Sequence, residues 1–344
     1  MRSLFVLGIA CVTAFAAPSV PAAQQPKRTA EAVVQYLDAA LDTLRRVALR
    51  RDSVDWNALR DSVLARSAGA QTTDEAWPAL QWALRKVDRH SFLQTPRPMP
   101  DERAAAKKPN EQTAQRSFVR PAVSGRLIEN RFGYVLVPSI GSSRPSFVDS
   151  LQTVIREFDS AGACGWVVDL RKNPGGNMWP MLAGVGPLLG DSVLGSFVVS
   201  GQKDTPWRYV RGSAWAGSDT VPAWAAHGTQ PPYEMKRRYA PVALLSGRET
   251  ASSGEATMIA FLGRPNVRTF GDSTAGFASV NNGYRLSDSA NMVVTIGFSK
   301  DRTGRQYGLR LTPDEPVPAG TDPARDQPLE SALAWLRRQE SCVR

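Results

Sequence analysis

Gly165-Trp166-Val167-Val168-Asp169-Leu170, followed at once by Arg171-Lys172-Asn173-Pro174-Gly175-Gly176, is the stretch that decides the fold. Its first half has almost no polar alternation, which is typical of a strand covered on both faces. Its second half is a glycine-rich turn, and an apolar helical stretch follows as far as Leu189. The stretch therefore predicts a buried strand, a tight turn and a helix in direct succession.

The same succession of elements occurs again further along the chain. Residues 241–246 form a second apolar run, which leads through Glu249-Thr250-Ala251-Ser252-Ser253-Gly254-Glu255 into a helical stretch that ends at Phe261. Helical spacing is also present over 147–158. Further apolar runs that predict strands lie at 132–138, 267–270 and 292–296. Strands that alternate with turns and helices predict an α/β core.

The region before this core has a different pattern. Residues 29–89 carry apolar side chains at helical spacing, for example Val33, Leu37, Leu41 and Leu44, which predicts three or so helices. Residues 95–122 are rich in Pro, Lys, Glu, Gln and Ala, as a linker or an exposed loop is. We therefore expect a helical N-terminal subdomain over 24–94, a linker over 95–122 and the core over 123–344.

The first residues resemble a secretory signal. Arg2 precedes an apolar run over 4–16, and small residues follow it as far as Ala23. A membrane anchor is the alternative, but the run is short of the ~20 residues that a bilayer requires. Lipidation at Cys11 is a second alternative, for which Gly8-Ile9-Ala10 is a poor approach. We expect a signal peptide over 1–23, and export to the periplasm or the exterior.

Charge and cysteine usage limit the function classes. The net charge is +10, but Lys and Arg are scattered along the chain and form no stripe with interleaved aromatic residues, so a nucleic-acid groove is not predicted. Zinc-binding Cys/His spacings are absent, and we expect neither a metal nor a cofactor. After signal removal Cys164 and Cys342 remain; a disulfide and two separate thiols are both open.

The turn at Ser252 is the first candidate catalytic feature. A helix N-terminus favours developing negative charge, although Ser is also a common helix cap with no chemical role. A serine nucleophile requires a base, and the chain has only two histidines, His90 and His227. The turn at Gly175-Gly176 leaves backbone N–H groups unshielded, as a site that binds negative charge requires.

Taken in order, these motifs resemble the carboxy-terminal processing peptidase family, S41. The motifs that carry the resemblance are a helical subdomain, Asp88-Arg89-His90-Ser91, the strand from Gly133 to Pro138, Val167 to Gly176, Glu249 to Glu255, Gly271 to Gly276 and Leu311 to Asp314. The resemblance implies a Clp protease/crotonase-like core of stacked strand-strand-helix units. It also implies that Ser252 is the nucleophile and that the N–H of Ser253 and of Gly175 or Gly176 forms the oxyanion hole, Gly175 being preferred.

Two departures from the family pattern bear on the base. Where Ser-Lys members carry lysine this chain has Phe277, so the resemblance favours the tricorn-like branch, in which a histidine of the N-terminal subdomain is the base, here His90. The acid that orients His90 is not identified by the motifs. Tyr307 lies where a Glu is often found in that branch, and Asp301 and Asp314 are alternatives.

The resemblance also bears on substrate recruitment. Some members insert a PDZ domain after the helical subdomain, but the stretch between Ser91 and Arg126 is too short for one. The tryptophan-rich stretch 206–239, which contains His227, is interpreted as a surface loop; a cleft wall built from Trp207, Trp215 and Trp224 is the alternative.

The function predicted from the sequence is that of an exported serine-type peptidase acting on peptides or proteins through an acyl-serine intermediate. Two alternatives use the same site. One is a non-catalytic member that binds an apolar ligand or a peptide in the cleft, as the retinoid-binding relatives of the family do. The other is an esterase, since function depends on the site and not on the fold.

Overall fold

A computed structural model describes residues 28–99, 122–318, 320, 322 and 324–343. The predicted signal peptide, 1–23, lies outside the described residues, and so do residues 100–121 of the predicted linker. The predicted domain boundaries at 24, 95 and 123 therefore stay predictions.

Three helices open the described chain, as the spacing predicts. They are α1 (Glu31–Val47), α2 (Trp56–Arg66) and α3 (Thr73–Val87). The apolar side chains of α1 that repeat at three and four are buried. Asp55 precedes α2, and its side chain accepts the N–H of Ala58 at 3.0 Å, which caps that helix. The helical N-terminal subdomain is thus confirmed.

The strands form two sheets. In chain order they are β1 (Phe92–Gln94), β2 (Ser124–Ile128), β3 (Phe132–Leu136), β4 (Gly165–Asp169), β5 (Ser192–Val199), β6 (Thr205–Val210), β7 (Ser213–Ala216), β8 (Val242–Ser246), β9 (Val267–Gly271), β10 (Ser279–Arg285), β11 (Asn291–Asp301), β12 (Gln306–Tyr307) and β13 (Glu315–Pro316). One sheet has the order β13-β9-β8-β4-β3-β2, and all its neighbours are parallel except the edge pair β2 and β3.

Helices cover both faces of this parallel sheet. They are α4 (Pro145–Ser160), α5 (Met178–Leu189), α6 (Ser253–Phe261) and α7 (Gln327–Arg337). Along β4, Trp166 and Val168 join the core formed with α4, α5 and α6, whereas Val167 joins the core under α7. Coverage on both faces explains why β4 and β8 are buried at every residue. The predicted α/β core is confirmed.

Arg171 shows why the turn after β4 contains an arginine. Its guanidinium lies 2.6 Å from an oxygen of Asp169 and 2.6 Å from an oxygen of Asp326. Asp326 also accepts the N–H of Leu329 and so caps α7. Arg171 therefore fastens the turn to α7 and takes no part in the cleft described below.

The second sheet is antiparallel and carries the N-terminal subdomain. Its strands run in the order β1-β11-β5-β6-β7, and β10 and β12 also pair with β11. The sequence predicts only part of it, the segment 292–296 within β11. Met292 and Val294 of β11 share one core with the buried faces of α1 and α3. The helices therefore have no core separate from this sheet.

The stretch 206–239 is not a simple surface loop. Its first part forms the hairpin of β6 and β7, in which Trp207 and Trp215 are fully buried. The alternative interpretation as a cleft wall is wrong for these two residues, because their rings fill the interior. Trp224 is 54% exposed and packs against Trp179, with ring centroids 5.8 Å apart.

A disulfide joins Cys164 to Cys342, with Cα atoms 5.2 Å apart. It links the residue before β4 to the chain end beyond α7, and both residues are buried. The two possibilities that the sequence leaves open are thus resolved in favour of a bridge. Spacing could not decide between them, because the bridge depends on where α7 packs.

Two further observations concern the segment between β1 and β2 and the length of the helices. Residues 95–123 lie between β1 and β2, and the expected lack of a PDZ domain there stays a prediction. Within the described ranges, every helix is too short or too polar to cross a bilayer.

Candidate active site

Ser252 lies between the end of β8 and the start of α6. Its backbone has φ +50° and ψ −116°, a positive-φ conformation that residues other than glycine rarely adopt. Such strain persists only where neighbouring contacts impose it. Here the N–H of Ser252 donates to Glu255 Oε2 at 2.9 Å, and the Thr250 hydroxyl donates to the carbonyl of Leu170 at 2.9 Å. The turn is thus held in a shape that presents the serine side chain.

Glu255 organises the turn from inside the protein. It is completely buried, and its carboxylate accepts the N–H of Gly276 at 2.9 Å and that of Phe277 at 2.7 Å, besides the N–H of Ser252 and the Thr274 hydroxyl. Burial raises the pKa of this carboxyl group, while those hydrogen bonds act to lower it. Sequence reasoning missed its role, although Ser-x-x-Glu at a helix start is a recognised capping pattern.

The glycine-rich turn packs directly against the serine turn. The N–H of Ala251 donates to the carbonyl of Asn173 at 3.0 Å, and the Ser253 hydroxyl donates to the carbonyl of Gly176 at 2.7 Å. Gly175 has φ +104°, and a Cβ there would lie 2.8 Å from the Cβ of Ser252. Glycine is therefore required for the two turns to meet.

The two glycines differ in what their N–H groups do. The N–H of Gly175 donates to Asn173 Oδ1 at 3.0 Å. The N–H groups of Gly176 and Ser253 have no acceptor among the described residues, and both residues line the cleft beside Ser252 whereas Gly175 does not. The N–H of Gly176 is therefore more available to a ligand than that of Gly175, because the Gly175 donor is already bonded.

The segment after α3 brings His90 to the serine. His90 Nε2 lies 3.1 Å from Ser252 Oγ, although the two residues are 162 positions apart. The main chain of His90 is held on both sides: its N–H donates to Asp88 Oδ1 at 2.8 Å, and its carbonyl accepts from Asn281 Nδ2 at 3.0 Å. Two residues further on, β1 pairs with β11. The antiparallel sheet therefore positions the histidine.

None of the acid positions considered from the sequence contacts His90. Asp301 accepts the Tyr307 hydroxyl at 2.8 Å and closes its own turn, and Asp314 is bonded to Thr269 of β9. The second ring nitrogen of His90, Nδ1, lies instead 2.9 Å from the hydroxyl of Ser279.

His90 is in the state that a general base requires. Burial lowers its pKa to about 4, and the nearby charge of Asp88 opposes that shift only in part. Phe277, which stands where the family resemblance expects lysine, packs its ring with the centroid 5.0 Å from that of the imidazole. The imidazole is consequently neutral at pH 7, and its Nε2 faces the hydroxyl of Ser252.

The cleft in front of these residues has a volume of about 300 Å³. Its wall combines the polar groups of the site with apolar side chains, among them Met178, Phe197 and Ala256. His227 takes no part, since it is exposed and its Nδ1 lies 2.8 Å from the carbonyl of Gly228. Across the described part of the chain, no three His, Cys, Asp or Glu side chains come together to hold a metal ion.

The arrangement has the parts of nucleophilic acyl transfer. It places a serine hydroxyl, a neutral imidazole and two backbone N–H groups that have no acceptor in the described part of the chain around one cleft, where the N-terminus of α6 adds positive potential.

Comparisons with known proteins identify the family of the chain. The model of peptidase family S41 matches residues 131–317, more than half of the chain. A nisin-resistance protein of Lactococcus lactis subsp. lactis is 26% identical over 306 residues, which cover 89% of this chain and 87% of that protein.

Solved structures show the same fold. A lipoprotein from Streptococcus agalactiae has a TM-score of 0.66 at 23% identity, covering 89% of this chain and 96% of its own. The photosystem II D1 C-terminal processing protease has a TM-score of 0.53 at 14% identity, covering 91% and 99%. The chain belongs to peptidase family S41.

Proposed function

We propose that this chain is an exported serine peptidase that hydrolyses peptide bonds through an acyl-serine intermediate. The observation that carries the proposal is the 3.1 Å approach of His90 Nε2 to Ser252 Oγ, at a serine held in a strained turn. A serine that only capped a helix would need neither the strain nor a half-buried histidine beside it.

The proposed reaction begins as Ser252 Oγ attacks the scissile carbonyl carbon while its proton passes to His90 Nε2. The oxygen of the tetrahedral intermediate accepts hydrogen bonds from the N–H of Gly176 and Ser253. The C–N bond then breaks, and the imidazolium gives its proton to the leaving amine. Water, deprotonated by the same nitrogen, attacks the acyl-serine and releases the carboxylate product, after which Ser252 regains its proton.

Export is part of the proposal and is supported by two features. The apolar run over 4–16 with small residues to Ala23 has the pattern of a secretory signal. The disulfide between Cys164 and Cys342 suits an oxidising compartment, since such bonds seldom persist in the cytosol. Detection of a mature chain that begins at Gln24 outside the cytoplasm supports export; a full-length chain retained in the cytoplasm contradicts it.

The proposed substrates are extended peptides. The cleft is lined by apolar side chains beside the reacting groups, and peptides are the substrates that the family name implies. The relative from Lactococcus lactis is named a nisin-resistance protein, so nisin belongs in the substrate panel together with unmodified peptides.

The test is hydrolysis of that panel by the mature chain, with products identified by mass spectrometry. We expect peptide cleavage by the wild type and none by Ser252→Ala, while Ser62→Ala, a change at a half-buried residue of α2 that does not line the cleft, leaves the rate unchanged. Hydrolysis of ester substrates alone would move the assignment to an esterase. Tight peptide binding without any turnover would move it to a non-catalytic binding protein.

A further inference from the structure

Ser279 is a polar residue of the cleft to which the proposed reaction assigns no role. It begins β10, lines the cleft together with His90 and Ser252, and places its hydroxyl 2.9 Å from His90 Nδ1. No other hydrogen bond of this hydroxyl exists among the described residues. In serine hydrolases a carboxylate commonly occupies that place and orients the imidazole.

No carboxylate takes this position in the described part of the chain. Asp88 is the nearest acid to His90 along the chain, but its Oδ1 accepts the backbone N–H of His90 and the hydroxyl of Thr295, at 2.8 and 3.0 Å. Its Oδ2 lies 3.4 Å from Nε of Arg50. Asp88 therefore holds the main chain of His90, whereas Ser279 contacts Nδ1 of the His90 ring.

We propose that Ser279 is the positioning residue of His90, and that its hydroxyl holds the tautomer in which Nδ1 carries the proton. The proposal rests on the proposed function, because the tautomer matters only if His90 serves as a base. It differs from that function in being a statement about one hydrogen bond, which can be observed without turnover.

The chemistry of a neutral imidazole explains why this hydrogen bond matters. The ring has one N–H, and Ser252 can pass its proton to Nε2 only if that nitrogen is bare. The N–H must then lie on Nδ1, where the oxygen of Ser279 accepts it. A hydroxyl can also donate, so it selects the tautomer less strictly than a carboxylate, which only accepts, and it supplies no negative charge to the imidazolium.

The remaining groups around the ring do not replace Ser279. Phe277 packs on the imidazole, and the guanidinium of Arg89 lies 5.4 Å from the centroid of that phenyl ring. Glu255 lies behind the same turn, where its oxygens are taken by backbone N–H groups and the Thr274 hydroxyl. The charged groups near the ring are therefore Asp88 with its partner Arg50, then Arg89 and Glu255. Arg85 and Lys86 line a second pocket that His90 also borders.

Three substitutions of Ser279 test the role. Ser279→Ala removes the acceptor, and we expect kcat to fall by about tenfold or more with KM changed less than about threefold, since loss of the correct tautomer costs up to about 10⁴-fold in other serine hydrolases. Ser279→Thr keeps a hydroxyl at Cβ and should retain activity within a few-fold of wild type. Ser279→Asp supplies a carboxylate and should move the acid limb of kcat/KM upward by at least about one pH unit.

Nitrogen NMR of the two histidines gives a readout that does not depend on turnover. With His227→Ala used for assignment, we expect wild-type His90 to be protonated at Nδ1 at pH 7 and Ser279→Ala to shift the ring toward a mixture of tautomers. If Ser279→Ala keeps the wild-type tautomer, kcat and pH profile, the positioning role is overturned. If the wild type shows the expected tautomer but cleaves no peptide, the positioning role stands and the proposed function fails.

Discussion

At the level of single residues, the imidazole of His90 is half-buried and has a hydroxyl group beside each of its two nitrogens. Its two nitrogens lie 3.1 Å from Ser252 and 2.9 Å from Ser279. Burial removes water that would solvate a cation, so the neutral ring is favoured. A base of this kind binds a proton weakly. It therefore stays unprotonated, and able to accept the serine proton, in mildly acidic surroundings.

The pH profile follows from that pKa. Only neutral His90 can accept the serine proton, and its pKa of about 4 lies below the ordinary 6.5. We expect kcat/KM to stay level from neutral pH down to about 5 and to fall by half near pH 4. Half-loss near pH 6.5, in a protein that circular dichroism shows to be folded, would contradict a base whose pKa partial burial lowers.

The two histidines provide a matched pair of substitutions. His90→Ala should lower kcat at least about 100-fold, as expected for loss of a general base, with little change in KM. His227→Ala, on the exposed stretch before Gly228, should leave kcat as it is. Equal activity of the two variants in steady-state assays would exclude His90 as the base.

Sequence reasoning reaches part of this site and misses the rest for physical reasons. Ser252 and His90 stand in motifs whose order points to them, and the structure places them together. The choice between Gly175 and Gly176 depends on the bond from the Gly175 N–H to Asn173, which spacing does not reveal. Ser279 lies in no recognisable motif, because its contact with His90 depends on how β10 pairs with β11.

At the level of elements, the serine turn is a strained connection held by one buried side chain. Glu255 accepts two donors on each carboxylate oxygen: Ser252 and Phe277 on one, Thr274 and Gly276 on the other. The first residue of this set is the proposed nucleophile, and the other three belong to the segment that packs Phe277 on His90. Glu255 thereby couples the geometry of the two reacting groups.

Glu255→Gln should reveal this coupling. The amide nitrogen of glutamine cannot accept, so two of the four donors lose their partner, and we expect the free energy of unfolding to fall by about 2–4 kcal/mol. Glu157→Gln, at an exposed residue of α4, is the control and should unfold like the wild type. Equal urea midpoints for both variants would show that the carboxylate does not hold the turn.

The elements themselves were unequally predictable. β4 and β8 are covered on both faces, so their apolar runs are continuous and easy to recognise. In contrast β6 and β7 lie within residues rich in Trp, Gly and Pro that read as a loop, and only their pairing buries Trp207 and Trp215. β10 carries Asn281 and Asn282 and is mostly polar, so its place beside β11 comes from tertiary contacts.

At the level of the whole molecule, the site lies where the two sheets meet. The parallel sheet supplies Ser252 through the turn after β8, and the antiparallel sheet supplies His90 and Ser279 through β1 and β10. Leu194, Trp207 and Ala214 of the antiparallel sheet share one core with the parallel sheet, and β11 joins the N-terminal helices to the antiparallel sheet. The proposed activity therefore requires both sheets to be docked.

The disulfide lies on the face of the parallel sheet that α7 covers. Replacing both Cys164 and Cys342 by serine should lower the free energy of unfolding by about 2–4 kcal/mol, since the bond closes a loop of 178 residues. Dithiothreitol should destabilise the wild type to the same extent and leave the double variant unaffected. A wild type with two thiols that react while it is folded, and no response to the reductant, would contradict the bond.

The central claim is that Ser252 is a nucleophile activated by His90, and covalent labelling with a fluorophosphonate probe tests it most directly. At pH 7 the folded wild type should be labelled at Ser252, Ser252→Ala should remain unlabelled, and His90→Ala should react at least about 100-fold more slowly. A folded wild type that the probe does not label, or a label that persists in Ser252→Ala, would contradict the claim.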